Sequence, residues 1–296
     1  MPEWFKFVLI ALQVSIVLLV LAIGIRTTWA EAIFLFQNPE LLFKSLLARN
    51  VVMPLVAILL VKAFSIHSAV KLSIVLLSVT PIPPLLPRTL EKAGARASYA
   101  CGLLVSHSVL AILLVPLTVE VLNLVFVAQA HFGPLAVAKT VVMFILVPLA
   151  TGMVIGRFLR NKAPRIARAV GAVGNILLLL AFLPTLVLLW QTVQIVAGNG
   201  ALLALALFIL AGLVAGHLLG GPRAGDRTAL AVATASRHPG LAIAIAIANF
   251  PGQGKLVIGV VLIYLVLNLT LPIPYIRWRR RALGVAGNGT PLPVHP

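Results

Sequence analysis

Long apolar runs recur along the whole chain, and they constrain the fold more than any other feature of the sequence. The run at 8–25, VLIALQVSIVLLVLAIGI, is typical of them. A helix of about 18 or more apolar residues is long enough to cross the roughly 30 Å hydrocarbon core of a bilayer. The runs lack the alternation of apolar and polar residues that strands of a transmembrane barrel would show. The sequence therefore predicts an all-α polytopic membrane protein.

The composition supports this class and excludes another. Hydrophobic residues make up 61% of the chain and charged residues only 10%, whereas soluble domains carry about 25% charged residues. The net charge of +17 could suggest a nucleic-acid partner. However, the basic residues lie between the apolar runs and near the C-terminus, as expected of charges that set membrane topology. We therefore expect the lipid bilayer, and no nucleic acid, as a partner.

Glycine, proline and charged residues divide the apolar runs into nine predicted membrane segments. These segments lie at about 6–25, 42–64, 68–93, 98–122, 134–156, 168–194, 201–220, 226–249 and 256–275. An odd number of segments places the two termini on opposite sides of the membrane. The last residues, 283–296, predict a disordered tail.

Basic residues are distributed unequally between the two sets of loops. One set carries seventeen of them: Arg26, Lys44, Arg49, Arg88, Lys92, Arg96, Arg157, Arg160, Lys162, Arg165, Arg168, Arg223, Arg227, Arg277, Arg279, Arg280 and Arg281. The other set carries five: Lys6, Lys62, Lys71, Lys139 and Lys255. The positive-inside rule then predicts an external N-terminus and a cytoplasmic C-terminus. The short loops favour a bacterial inner-membrane protein.

Two predicted segments are interrupted near their middles. The third contains SVTPIPPLLPRT, with four prolines at Pro81, Pro83, Pro84 and Pro87. Proline lacks an N–H and clashes with the preceding turn, so a helix cannot continue through this stretch. The eighth contains SRHPG, where Pro239 disfavours helical geometry at the preceding His238 and suits the start of a new helix.

The two interruptions lie five segments apart. This offset fits two inverted units of five helices, the first of which lacks its first helix. Interrupted helices at corresponding places in two halves indicate the substrate site of a secondary transporter. Proline kinks without function are the alternative, because single kinks are common in membrane helices.

Arg237 adds a permanent charge to the second interruption. The preceding half-helix, Asp226–Ser236, is about 16 Å long at 1.5 Å per residue, which places Arg237 near the bilayer midplane. A charge at this depth normally faces a partner or water. The six acidic residues all lie in termini, loops or segment ends: Glu3, Glu31, Glu40, Glu91, Glu120 and Asp226.

Two partners for Arg237 remain open. One is backbone carbonyl groups, either at the end of its own half-helix or at the proline-rich break around 81–84. The other is an anionic ligand, which arginine can bind with two hydrogen bonds and which the N–H groups of the half-helix starting near Gly240 would also attract. His238 is the titratable group expected near the midplane. Ser106, His107 and Ser108 could reach the same cavity, although bonds from the serines to their own helix would explain them equally well.

Four stretches of the chain resemble the bile acid:sodium symporter family: LLFKSLLARNVVMPLVAILL, TPIPPLLP, ATASRHPGLAIAIA and YIRWRRR. The resemblance implies a transporter domain at 1–282, with repeats at about 1–122 and 134–282. It implies a panel domain and a core domain, with the two broken helices crossing in the core. It also implies secondary active transport of a small organic anion, coupled to sodium.

The sequence departs from that family at the second break. Sodium-binding members typically carry a glutamate four residues before a Gln-Asn pair, and the matching positions here are Ala233, Arg237 and His238. Loss of an acidic side chain and gain of a fixed cation together make this site more positive by about two charge units. In a low-dielectric site this charge strongly disfavours the binding of a sodium ion. The predicted crossover or substrate residues are Thr234, Ser236, Arg237, His238, Pro239, Gly240, Pro81, Pro83 and Pro84. No catalytic residue, metal ligand or cofactor is predicted, and Arg237 is expected to replace a sodium ion.

Other carrier mechanisms, an enzyme and arsenite efflux are the alternatives to sodium-coupled transport. An uncoupled or proton-linked carrier, or an exporter, could use the same fold. An intramembrane enzyme would need buried carboxylates, a metal cluster or an activated nucleophile, none of which the pattern offers. Cys101 invites comparison with arsenite efflux proteins of the same superfamily, but its apolar neighbours favour simple packing. Substrate identity, coupling ion and oligomeric state stay open.

Overall fold

The computed structural model of the chain describes residues 3–83, 86–126, 135, 139, 141–188, 190, 194, 200–250 and 252–282. Fourteen α-helices are present there. They are α1 (Glu3–Gly24), α2 (Trp29–Ile33), α3 (Pro39–Leu46), α4 (Met53–Ala63), α5 (Ser68–Val79), α6 (Leu86–Lys92), α7 (Ala97–Phe126), α8 (Val147–Leu159), α9 (Ala163–Leu188), α10 (Ala201–Leu219), α11 (Ala224–Ala235), α12 (Pro239–Asn249), α13 (Gly254–Thr270) and α14 (Pro272–Ala282). The predicted tail at 283–296 lies outside the described residues.

Seven helical stretches in the described residues are long and apolar enough to cross a membrane. They are Pro39–Ala63, Ala97–Val121, Val142–Leu159, Ala163–Ala181, Ala201–Leu219, Ala224–Ile247 and Gly254–Ala282. The predicted first and third segments correspond to shorter apolar helices, Gln13–Gly24 and Ser68–Val79. The prediction of an all-α polytopic membrane protein is confirmed, while the number nine stays a prediction. The sixth segment begins at Ala163, five residues before its predicted start at 168.

The helices pack in two groups. In one group α1 lies against α8 and α9. Its contact with α8 joins backbone to backbone, because a Cβ on Gly24 would collide with the Leu149 carbonyl and one on Gly152 with the Leu21 carbonyl. The other group contains α4, α5 and α10–α13, and α7 adds contacts to it through α5 and α11. Both interrupted segments belong to this second group.

A stripe of glycines on α10 positions the first half of the second interrupted segment. The spacing of Gly212, Gly216 and Gly220 predicts a close packing face, and α11 lies against that face. A Cβ on Gly212 would lie 2.7 Å from the Ala235 Cα, and one on Gly216 would lie 2.6 Å from the Leu230 carbonyl carbon. The prediction is confirmed.

Loops predicted to share one side of the membrane do lie together. Arg96, at the start of α7, forms an ion pair with Asp226, at the start of α11. The Arg279 side chain of α14 donates to the Ala224 carbonyl at 3.0 Å, and the Arg88 side chain donates to the Ala167 carbonyl at 3.4 Å. That this end faces the cytoplasm stays a prediction from the excess of basic residues.

Gly216→Ala is expected to destabilise the protein, because the new methyl group would overlap the α11 backbone. Overpacking of this kind costs about 1–3 kcal/mol. Thermal unfolding of the purified protein in detergent would measure it. Gly252→Ala is the matched control, since apart from its chain neighbours no heavy atom lies within 4 Å of a Cβ at Gly252. Equal unfolding temperatures for the two variants would contradict the packing described for α10.

Candidate functional site

The two interrupted segments cross at their breaks. Helix α5 ends at Val79 and the backbone at Thr80 is extended, whereas α11 ends at Ala235 and α12 begins at Pro239. The N–H of His238 donates to the Pro81 carbonyl and to the Thr80 hydroxyl, both at 3.1 Å. The predicted interruptions are therefore present in the structure, and hydrogen bonds join one break to the other.

Arg237 is buried at this crossing, with only 1% of its surface exposed. Its Nη1 donates to the carbonyl groups of Ser78 at 3.1 Å and Thr80 at 3.3 Å. Its Nη2 donates to the Arg49 carbonyl at 3.2 Å. Carbonyl groups at a helix end lack intrahelical partners and carry partial negative charge. Backbone carbonyls were one of the two kinds of partner expected from the sequence, at the end of its own half-helix or around 81–84. The carbonyls that Arg237 contacts lie just before that proline-rich break, at Ser78 and Thr80, and on a third segment, at Arg49.

Arg49 is a second buried arginine at the same place, and the sequence analysis missed it. Counting Arg49 among the loop cations was wrong, since its side chain is 0% exposed, whereas that of Lys44 in the same helical stretch is 36% exposed. Its Nη1 donates to the Ala233 carbonyl and, at 3.3 Å, to the Ser236 carbonyl. Arg49 thus caps the end of α11, while Arg237 caps the end of α5. Sixteen basic residues, instead of seventeen, remain on the basic side.

A local change of helix register presents Arg49 to the crossing. Residues Leu47–Val52 form a π-helical turn between α3 and α4, and such turns are frequent at functional sites. In a π-helical turn each carbonyl accepts a hydrogen bond from the N–H of the residue five positions later. For Arg49 that residue is Pro54, which has no N–H. The carbonyl is therefore open to the Arg237 side chain. A proline five residues after an arginine in an apolar run was the available sequence signal.

Tyr264 of α13 completes the bonding at the end of α11. Its hydroxyl accepts the Arg237 backbone N–H at 2.7 Å and donates to the Ala235 carbonyl at 2.9 Å. In a continuous helix the Ala235 carbonyl would meet the N–H of residue 239, which is a proline and has none. The tyrosine therefore satisfies two backbone groups that the break leaves open.

Some polar atoms at and near the crossing have no partner in the described part of the chain. They are Nε and Nη2 of Arg49, Nε of Arg237, and the hydroxyls of Thr234, Ser106 and Ser108. An unsatisfied buried polar group costs about 1–3 kcal/mol, and more when it is charged. The alternative that Ser106 and Ser108 bond to their own helix is wrong, because neither hydroxyl has a partner there.

His107 of α7 lies beside the crossing. It is 3% exposed, its Nε2 lies 3.0 Å from the Ser45 hydroxyl, and both guanidinium charges act on it. It lines a small cavity together with Asn50, Pro54, Val79, Pro81, Ala111, Leu114, Val115 and Thr118. Of the three residues expected to reach a cavity of the core, His107 lines this one, whereas Ser106 and Ser108 do not. His238 is therefore not the only titratable group at this depth.

The other predicted site residues occupy different positions around the break. His238 caps α12, with its Nδ1 accepting the Leu241 N–H at 3.2 Å. This contact uses one of the N–H groups expected to attract an anion. The Ser236 hydroxyl lies 3.3 Å from the amide nitrogen of Asn268. Pro239 is half-buried, Gly240 is exposed, and Pro84 lies outside the described residues.

Carboxylates are not partners of the two arginines in the described part of the chain. Asp226 is buried but pairs with Arg96, and Glu40 pairs with Lys44. No group of three or more histidine, cysteine or acidic residues is close enough to hold a metal ion among those residues. Cys101 is buried with its Sγ 3.4 Å from the Thr27 hydroxyl, as expected of a packing role.

The fold and the crossing define a polytopic α-helical membrane protein with two interrupted helices that meet in its interior. The chain belongs to the sodium bile acid symporter family, whose family model matches residues 13–215. The match ends before α11 and therefore does not include SRHPG. A comparison with curated proteins gave no match. Members of the matched family are transporters, and membership therefore implies a transport function at the level of the family.

Tyr264→Phe is expected to destabilise the protein, because it leaves the Arg237 N–H and the Ala235 carbonyl unpaired. The expected loss in free energy of unfolding is about 1–3 kcal/mol for each unpaired group. Thermal unfolding in detergent would measure it. The matched control is Tyr99→Phe, which removes a buried hydroxyl that has no partner among the described residues. If both variants lost the same stability, the account of Tyr264 would be wrong.

Proposed function

We propose that this protein is a carrier of a small organic anion in which fixed arginines replace sodium at the helix crossing. The observation that carries the proposal is the set of bonds from Arg237 to the Ser78, Thr80 and Arg49 carbonyls. In transporters with broken helices, such half-helix ends and unwound carbonyls commonly coordinate Na⁺. Here a covalently attached cation bonds to them.

The residues at the crossing do not fit a sodium ion. Sodium would need oxygen ligands, and the carbonyl groups of Ser78, Thr80, Ala233 and Ser236 already accept guanidinium N–H groups. The position of the family glutamate is Ala233, so its carboxylate is missing. A sodium ion would also meet two guanidinium charges in a medium of low dielectric constant, where like charges repel strongly. We therefore expect transport that is not coupled to sodium through this site.

The remaining mechanisms are uncoupled transport and transport linked to protons. Proton linkage would need a titratable group that faces the transport path. His107 and His238 are the candidates, because both are buried at the crossing. Of these, His107 is the stronger candidate because it lines the cavity, whereas His238 caps a helix. Exchange or export on the same fold would use the same site.

The proposal includes the arrangement in the membrane. We place the N-terminus outside and the C-terminus in the cytoplasm of a bacterial inner membrane, from the distribution of basic residues. We also propose two inverted repeats, at about 1–122 and 134–282. In support, the half-helices α5 and α11 both have 12 residues. Each is about 18 Å long at 1.5 Å per residue, which is roughly half of a bilayer crossing.

Transport in proteoliposomes tests the function. The purified protein would be reconstituted, and uptake of radiolabelled benzoate and cholate would be measured with an inward gradient of sodium or of choline. We expect uptake of at least one of these anions, at the same rate with either cation. Arg237→Gln should abolish uptake, because the crossing loses a charge and hydrogen bonds worth about 1.5–3 kcal/mol each.

The control is Arg279→Gln, which removes another buried arginine that bonds to Thr228 and Ala224, away from the crossing. This variant should keep its uptake. An uptake rate that depends on the sodium gradient would contradict the proposal that arginines replace sodium at the crossing. Failure to take up any organic anion would contradict the transport function.

A further inference from the structure

We infer that the free edge of the Arg49 guanidinium binds the charged group of the transported anion, and that this group is a single carboxylate. The inference rests on the proposed function and adds the binding residue and the substrate class. In the sequence, Arg49 resembles an ordinary basic residue of a loop, and only the structure places it at the crossing.

The geometry of the free edge carries the inference. The Nη1 of Arg49 is engaged with the end of α11. Its Nε and Nη2, which lie side by side on one edge of the planar group, have no partner in the described part of the chain. Two parallel N–H donors on one edge match the two oxygens of a carboxylate. By contrast, Arg237 uses both Nη atoms on carbonyl groups and keeps only Nε free.

Burial makes the free edge significant. The Arg49 side chain is 0% exposed, so bulk solvent does not reach its unpaired donors. Buried polar groups in native proteins are nearly always hydrogen-bonded, and each exception calls for an explanation, such as a functional role. A substrate that enters from the membrane surface would supply the missing acceptors.

The charge at the crossing matches one negative charge on the ligand. The two guanidinium groups contribute two positive charges, and the ends of α5 and α11 contribute about −0.5 each. About one positive charge is therefore left without compensation. None of the ion pairs formed in the described part of the chain involves Arg49 or Arg237. A monocarboxylate balances this charge, whereas a doubly charged phosphate would reverse it.

A small cavity lies near the crossing, and Arg49 is not among the residues that line it. Asn50, the residue after Arg49, lines it together with apolar side chains such as Pro54 and Val79 and the polar side chains of His107 and Thr118. Movement of the surrounding helices would have to enlarge this cavity and open it to the free edge of Arg49 before a ligand could occupy both.

Binding of benzoate to the purified full-length protein tests the inference. Isothermal titration would use potassium benzoate, with benzamide as the neutral analogue of the same shape and potassium phosphate as the other oxyanion. We expect benzoate to bind, and benzamide and phosphate not to bind. Arg49→Lys keeps the charge but loses the two-donor edge, and it should weaken benzoate binding about tenfold or more, the equivalent of about 1.4 kcal/mol.

Arg279→Lys is the matched control, because it changes a buried arginine away from the crossing, and it should leave benzoate affinity unchanged. Equal affinities of Arg49→Lys and the unsubstituted protein would overturn the inference. Binding of phosphate in preference to benzoate, or no binding of benzoate, would overturn the substrate class. If benzoate bound through Arg49 but no anion crossed the proteoliposome membrane, the inference would stand and the proposed function would fail.

A second measurement does not depend on whether Arg49→Lys folds. An electron-density map of the unsubstituted protein bound to 4-bromobenzoate would locate the ligand by its heavy bromine atom. We expect the carboxylate within hydrogen-bond distance of Nε and Nη2 of Arg49. A carboxylate that lies elsewhere, for example at the N-terminus of α12, would overturn the assignment.

Discussion

A helix that ends inside a bilayer leaves carbonyl groups that water cannot reach, and this constraint governs the centre of the molecule. Two helices, α5 and α11, end in the interior of this protein, at buried Val79 and Ala235. Arginines from elsewhere in the sequence bond to their ends: Arg237 to the end of α5 and Arg49 to the end of α11. The two caps are coupled, because the Arg49 carbonyl accepts a hydrogen bond from Arg237. The breaks and the buried charges therefore stabilise each other.

This arrangement links the fold to the proposed mechanism. A sodium ion at a helix crossing can dissociate, so its binding can depend on the ion gradient. A guanidinium group on the chain cannot dissociate, so under this proposal the crossing would stay closed whether or not sodium is present. The chain would then retain the family architecture without the coupling ion. Its excess positive charge would instead be available to an anion.

Features of the fold that depend on local chemistry could be predicted from the sequence. Proline positions predicted both breaks, apolar length predicted a helical membrane protein, and the glycine spacing on α10 predicted a close packing face, although not that α11 would occupy it. Arg237 was recognised because no helix continues through SRHPG. Its choice of carbonyl partners could not be predicted, because the two breaks are more than 150 residues apart, as the 157-residue separation of Arg237 from Thr80 illustrates. Arg49 escaped detection because a basic residue near a predicted segment end resembles a loop cation, and only the π-helical turn before Pro54 carries it inward.

The most direct test of the central claim is an electron cryo-microscopy map of the protein in saturating sodium chloride, at a resolution that shows side chains. We predict planar density for the Arg237 and Arg49 guanidinium groups against the carbonyls of Ser78 and Ala233, with no ion density between them. Withdrawal of both side chains, with a compact density surrounded by those carbonyls, would contradict the claim and restore sodium to the crossing.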